Sequence, residues 1–173
     1  MAKPPISPYP PDLAEDAEPP VKELGDLHDV VVDGFDWANR QARRLVLRRV
    51  EAHRCRLTGT ELAEARFSDV TFADCHLDLV GLRMASLERV VFRDCRMAEC
   101  DLDAASLADV LFDNCELQRA TLSGARLKRV ELRGCDLTDL RGVEALRGAR
   151  MPWNDVLENA PLFATAMGVE IVD

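Results

Sequence analysis

Large apolar residues recur at every fifth position of this chain, from Leu47 through Leu57, Leu62, Phe67, Phe72, Leu77 and onward to Leu137, with Ala52 the one weak member. Two residues ahead of each stands a smaller one, such as Val50, Cys55, Thr60 or Ala65. Residues 45–139 therefore form nineteen five-residue units in one register. A period of five fits neither the 3.6 of a helix nor the 2 of a plain strand, so internal repetition decides the architecture. Within a unit the small residue, the next residue and the large residue read in, out, in, as a strand does. The remaining two positions, rich in Gly, Asp, Arg and Ala, suit a corner.

A longer interval closes the figure. Val50, Val70, Val90, Val110 and Val130 are twenty residues apart, and so are Cys55, Cys75, Cys95, Cys115 and Cys135. Only a coil of four sides stacks valine on valine and cysteine on cysteine. Neighbouring coils would pair at ~4.8 Å, so nearly five coils make a rod roughly 23 Å long whose interior holds two residues per side and no small-molecule cavity. The five cysteines then face inward as small apolar residues, their stacking distance slightly beyond the ~3.5–4.5 Å Cβ separation of a disulfide. No Cys-x-x-Cys or helical His pair suggests a metal, so none is expected. His28, His53 and His76 are scattered surface or edge residues.

The unit seen as Ala65-Arg66-Phe67-Ser68-Asp69, Cys100-Asp101-Leu102-Asp103-Ala104 and Ala125-Arg126-Leu127-Lys128-Arg129 resembles the pentapeptide-repeat family, over about 55% of the chain. The resemblance implies an all-β solenoid, specifically a right-handed quadrilateral β-helix, a handedness that spacing alone does not show.

Around this core the expected organisation is a disordered Pro-rich tail over 1–20, an irregular N-terminal cap over 21–44, the β-helix over 45–140 and a C-terminal helical cap over 141–173. The tail holds seven prolines and the acids Asp12, Glu15, Asp16 and Glu18, too little apolar surface to order itself. In the cap, Leu27, Val30, Val32, Phe35 and Trp37 suggest edge strands and residues 38–44 a helical turn. Residues 148–151 read as one last side. Pro152 and Asn154 signal a helix, Pro161 a second one, and Gly168 its end. Trp153, Val156, Leu157, Leu162, Phe163 and Met167 are the candidate capping and dimerisation residues.

Net charge is −9, with 31% charged residues and no apolar run near the ~20 residues of a membrane helix. The start lacks the apolar region of a signal peptide, so a cytoplasmic protein without a membrane partner is expected. Phosphate-binding loops and the nucleophile elbow are absent from the sequence, which argues against an enzyme and against a cofactor. Surface recognition is left.

Outward positions supply the candidate surface. The side built on Thr60, Val80, Cys100 and Ala120 carries Glu61, Glu64, Asp101 and Asp103 against Arg83. The following side carries Arg66, Arg89, Arg126, Lys128 and Arg129 against Asp69, Glu88 and Asp109. Residues 97–118 hold Glu99, Asp101, Asp103, Asp109, Asp113 and Glu116 without a single Lys or Arg, an acidic belt. Arg40, Arg43, Arg44, Arg48 and Arg49 form the one dense basic cluster, yet the net charge argues against direct nucleic-acid binding. The family resemblance implies a specific role for such acids, because some members are acidic rods that mimic duplex DNA, bind DNA gyrase or topoisomerase IV and protect them from quinolones or other poisons. The basic side and the arginine cluster depart from that picture. The alternative is a scaffold for an unrelated protein partner, with outward Val91 and Leu111 and corner residues Leu79 and Met84 as its contacts.

Overall fold

The computed structural model describes residues 6–12 and 24–172, and all of its strands are parallel. Strands β1 (Leu27–Asp33), β2 (Val46–His53), β3 (Arg66–Ala73), β4 (Ser86–Arg93), β5 (Ser106–Asp113) and β6 (Arg126–Lys128) lie side by side in chain order, and β7 (Glu131–Arg133) also pairs with β5. The register is twenty residues throughout: Leu27, Leu47, Phe67, Leu87, Leu107 and Leu127 stack in one column, and Val30, Val50, Val70, Val90 and Val110 in another. Each long strand spans two sides of the square. Isolated parallel bridges hold the other two sides, through Asp36, Arg56, His76, Arg96, Glu116 and Asp136 and through Gln41, Glu61, Gly81, Asp101, Thr121 and Arg141. The chain is thus a β-solenoid whose four sides all pair coil to coil.

Every corner turns on the last residue of a unit, which adopts a left-handed backbone from Asp29 (φ 52°) to Asp139 (φ 56°). Asp, Asn and Gly tolerate this region, whereas other residues are strained there by Cβ crowding. Leu79 (φ 59°), Met84 (φ 56°) and Ala104 (φ 57°) occupy it nonetheless. The corners were placed correctly by the repeat.

Inside, the large and small columns are buried with almost no exception. Phe72, Phe92 and Phe112 stack with ring centroids 5.2 Å apart and planes within 4° and 6° of parallel. All six cysteines are free and buried. The thiols of Cys75, Cys95 and Cys115 donate to the carbonyls of Ala52, Phe72 and Phe92 at 3.4–3.5 Å, which satisfies them without a disulfide or metal. Burial, with the charge of Asp101 nearby, pushes the Cys100 thiol up to about 12.

The N-terminal region differs from expectation. Residues 38–44 are not helical: Asn39 and Arg44 are corner residues, and the N–H groups of Trp37 and Ala42 donate to Arg56 and Glu61 of the next coil at 2.7 and 2.9 Å. The segment from Leu27 makes a further coil, with Leu27, Val32, Trp37 and Ala42 in the large-residue column. Pairing to a preformed coil overrides local helix preference, because each residue laid on it gains backbone hydrogen bonds and apolar burial together. Phe35 stacks on Trp37 at 5.4 Å.

At the other end the repeat stops where the next large residue would fall, at Gly142 (φ 71°), whose Cβ would lie 2.5 Å from the Ser123 nitrogen. A 3-10 turn, Val143–Leu146, brings Leu146 over the core instead. A gap beneath it, lined by apolar side chains, measures about 10 Å³, at the lower limit for holding one water, and offers that water no polar partner. Arg150 then pairs with Glu131 as the expected last side. Helix α1 (Trp153–Glu158) follows, with Pro152 rather than Asn154 at its start, and α2 (Ala160–Ala166) ends before Gly168 (φ 73°).

The expectation of a disordered tail over 1–20 lies outside the described residues at 1–5 and 13–20. Over residues 6–12 the chain instead lies against the solenoid. The Tyr9 N–H donates to Asp69 at 3.2 Å and the Asp12 N–H to Asp29 at 3.0 Å.

Candidate functional site

A twenty-residue coil puts residues i and i+20 in contact on the outside as well as the inside. The outward charges therefore meet partners from the coil above or below, and side-by-side sums along the chain miss these pairs. Glu64 accepts from Arg43 and Arg44 at 3.0 Å each, Glu99 from Arg119 at 2.7 Å, and Asp113 from Arg93 at 3.4 Å. Arg83 lies between Asp101 (3.1 Å) and Asp103 (3.5 Å), and Arg96 between Asp78 (3.3 Å) and Glu116 (3.7 Å). Asp109 pairs with Arg129. Of the eight acids singled out from sequence, Glu61 alone forms no ion pair among the described residues; its carboxylate accepts the Ala63 N–H at 3.1 Å.

The acids and bases balance nearly as well in number. Between residues 45 and 141 there are 17 Asp or Glu and 15 Arg or Lys, a net of −2 out of the chain's −9. Most of the acidic excess lies off the solenoid. Exposed pairs of this kind contribute ~0–1 kcal/mol each to stability, so their main effect is on the field at the surface. The eight acids also spread over several sides and corners instead of forming one face.

One corner is regular. The residues between the first and second sides read Asp29, Arg49, Asp69, Arg89, Asp109, Arg129, an alternating ladder in which Arg49 binds Asp29, Arg89 binds Asp69 and Arg129 binds Asp109. Hydrogen bonds from Arg49 and then from the Asp12 N–H hold the Asp29 carboxyl down at about 2. Asp69 is the one buried charged residue among those described. Its burial pushes the carboxyl up, but hydrogen bonds from Arg89, Tyr9 N–H and Ser68 outweigh that and hold it below the usual range. The basic cluster joins the same pattern, since Arg43 and Arg44 are engaged by Glu64 and Arg49 by Asp29.

The apolar candidates divide. Val91 and Leu111 do stack on the outer face but are 4% and 6% exposed, so they are not available contacts. Val91 lines a hollow with residues 6–10, a cover that nothing in its own strand could signal. Leu79 and Met84 are 56% and 54% exposed at neighbouring corners of one coil, with Gly81 on the side between them. In the C-terminal segment Leu162 and Phe163 pack against the core and Val156 is half-buried, while Trp153, Leu157 and Met167 are exposed together with Val169, Ile171 and Val172. No group of three or more His, Cys, Asp or Glu among the described residues is arranged to hold a metal ion, and none of their helices is long and apolar enough to cross a membrane.

The pentapeptide repeat region model matches residues 45–102 and 82–141, and the chain belongs to the pentapeptide-repeat family. No curated protein matches at a significant level. Among solved structures, QnrB1, a plasmid-mediated fluoroquinolone resistance protein, is 16% identical with a TM-score of 0.43, covering 83% of this chain and 92% of its own. HetL, a pentapeptide repeat protein involved in heterocyst differentiation regulation from the cyanobacterium Nostoc, is 21% identical with a TM-score of 0.36, covering 76% and 74%. A pentapeptide repeat protein from the Arabidopsis thaliana thylakoid lumen is 17% identical with a TM-score of 0.31, covering 85% and 84%. Those likenesses carry no inference about function.

Proposed function

We propose that this protein is a non-catalytic recognition rod that binds a protein partner through apolar side chains held at its corners. The observation that carries the reading is Leu79 and Met84. Each is more than half exposed, and each sits in a left-handed backbone that costs a bulky residue ~1–2 kcal/mol. The fold has no use for either side chain, since Asn or Gly would turn the same corner without strain. On the side between them the Glu61 carboxylate lies over Gly81, within about 3 Å of where a Cβ would sit, so Leu79 and Met84 project from the corners at either edge of that side and a partner could seat on both at once. Apolar anchors of this kind dominate binding energy where they become desolvated.

The test is partner capture by immobilised wild type beside Leu79→Ser/Met84→Ser and Asp101→Lys/Asp103→Lys. The reading expects the apolar variant to lose at least tenfold in affinity for a captured protein and the acidic variant to keep it. The opposite pattern would reject it.

A second reading, protection of a type II topoisomerase such as gyrase by DNA mimicry, is favoured by Glu61 and Asp101, which keep carboxylates two coils apart in one outward column. Their neighbours weaken it, because Asp101 and Asp103 share Arg83 and the repeat region is close to neutral. A cytoplasmic site of action belongs to both readings. Pairing of two rods through Trp153, Leu157 and Met167 is compatible with either.

A further inference from the structure

Residues 6–12 read Ile-Ser-Pro-Tyr-Pro-Pro-Asp. Proline has no N–H, so from Pro8 to Asp12 the backbone offers two donors, Tyr9 and Asp12. Both are used, and both go to acids of the alternating corner ladder, Tyr9 to Asp69 and Asp12 to Asp29. The spacing explains why they fit. Three residues of polyproline II rise ~9.3 Å, and two coils of a solenoid rise ~9.6 Å. Asp29 and Asp69 are two coils apart because Arg49 lies between them, so an alternating ladder presents carboxylates at the interval of a proline-rich segment with one free N–H in three.

Side chains add to the match. Arg89, fixed by Asp69 at 2.6 and 2.8 Å, lies with its guanidinium 5.9 Å from the centre of the Tyr9 ring, a cation–π contact. The outward column Glu51, Thr71 and Val91 forms the floor beside the segment, with Arg93 at its edge, and a hollow of about 320 Å³ remains between floor and segment. The strap is therefore an imperfect filling of its own groove.

We infer that the Asp29–Asp69–Arg89 corner and the adjoining Val91 face form a docking groove for an extended proline-rich segment of another protein carrying Pro-Tyr-Pro, and that residues 6–12 are its built-in competitor. The carboxylates read the N–H every third residue, Arg89 reads the aromatic ring, and Val91 takes a prolyl face. Tethered occupancy keeps the groove closed until a ligand in trans outcompetes it, so the apparent affinity of that ligand is lowered by the fraction of chains that are open.

Tyr9 is the chain's single tyrosine, which gives a direct readout on the full-length protein. Its ring resonances are followed by NMR while a synthetic peptide of residues 6–12 is added, and the same peptide, fluorescein-labelled, is titrated by anisotropy against wild type, Tyr9→Ala and Tyr9→Ala/Arg89→Gln. The inference expects Tyr9 to begin at a shifted position and move to that of the free peptide as the trans copy displaces it. Tyr9→Ala should bind the labelled peptide at least tenfold more tightly than wild type, the added Arg89→Gln should remove that gain, and a peptide with Ala in place of Tyr should not compete. Tyr9 resonances at free-peptide positions in the protein alone would overturn the inference. So would equal or undetectable millimolar binding by wild type and Tyr9→Ala.

Discussion

Phe92→Ala probes the interior at the point where the columns are best defined. The Phe92 ring is fully buried between Phe72 and Phe112, 5.2 Å from each and almost parallel to both. Truncating a buried phenylalanine costs ~3–5 kcal/mol in transfer and cavity terms. Here two stacked pairs, worth ~0.5–1.5 kcal/mol each, are broken as well, and parallel coils that pair on all four sides cannot collapse into the hole. The expected loss is therefore at the upper end, about 4–5 kcal/mol. Phe112→Ala breaks one stacked pair and should cost ~1 kcal/mol less. Urea unfolding followed by far-ultraviolet circular dichroism measures both. Because a coil touches only its neighbours, a weakened middle can also split the transition, and amide exchange should show β4 and β5 opening before β2. A loss below ~1 kcal/mol for Phe92→Ala, or a larger loss for Phe112→Ala, would refute the stacked-column reasoning.

Other consequences follow from the surface. Met84→Asn relieves a strained corner and should stabilise the protein by about 1 kcal/mol, a rise of roughly 2–4 °C in Tm by calorimetry; no change would mean that the Met84 side chain earns its place through contacts in the isolated chain. The Asp29 carboxyl is depressed to about 2 in the folded state against ~3.9 unfolded, so its stabilisation is complete above pH ~4 and fades as pH falls toward 2. Wild type should lose Tm more steeply than Asp29→Asn across that window and in parallel with it above pH 5, and an Asp29 carboxyl titrating near pH 4 by NMR would contradict this. If the exposed Trp153, Leu157 and Met167 edge joins two rods, light scattering at tens of micromolar gives a dimer that Trp153→Ser/Leu157→Ser turns into monomers; a monomeric wild type removes the pairing.

What the sequence disclosed was whatever repeats. Sides, corners, inward columns and the termination near Leu140 all follow from intervals of five and twenty. The first coil was hidden because Val32, Trp37 and Ala42 continue the same interval with residues unlike Leu and Phe, and because Arg40, Arg43 and Arg44 crowd its end. Counting back by fives from Leu47 would have found it. The acidic belt over 97–118 was misread for a geometric reason. Its neighbours in space are Arg83, Arg93, Arg96, Arg119 and Arg129; all five lie outside that window, Arg93, Arg96 and Arg119 by only a few residues, while sitting about a whole coil from the acids they neutralise. The strap over Val91 had no local signal, since Tyr9 and Asp69 are sixty residues apart.

The claim that recognition rests on apolar corners, and not on a DNA-like acidic surface, is tested most directly by gyrase supercoiling with purified wild-type protein, with and without a fluoroquinolone, beside Asp101→Lys/Asp103→Lys. The account predicts no inhibition and no rescue by either protein at micromolar concentration. Inhibition or rescue by wild type that the Asp101→Lys/Asp103→Lys variant loses would contradict it and establish the topoisomerase reading in its place.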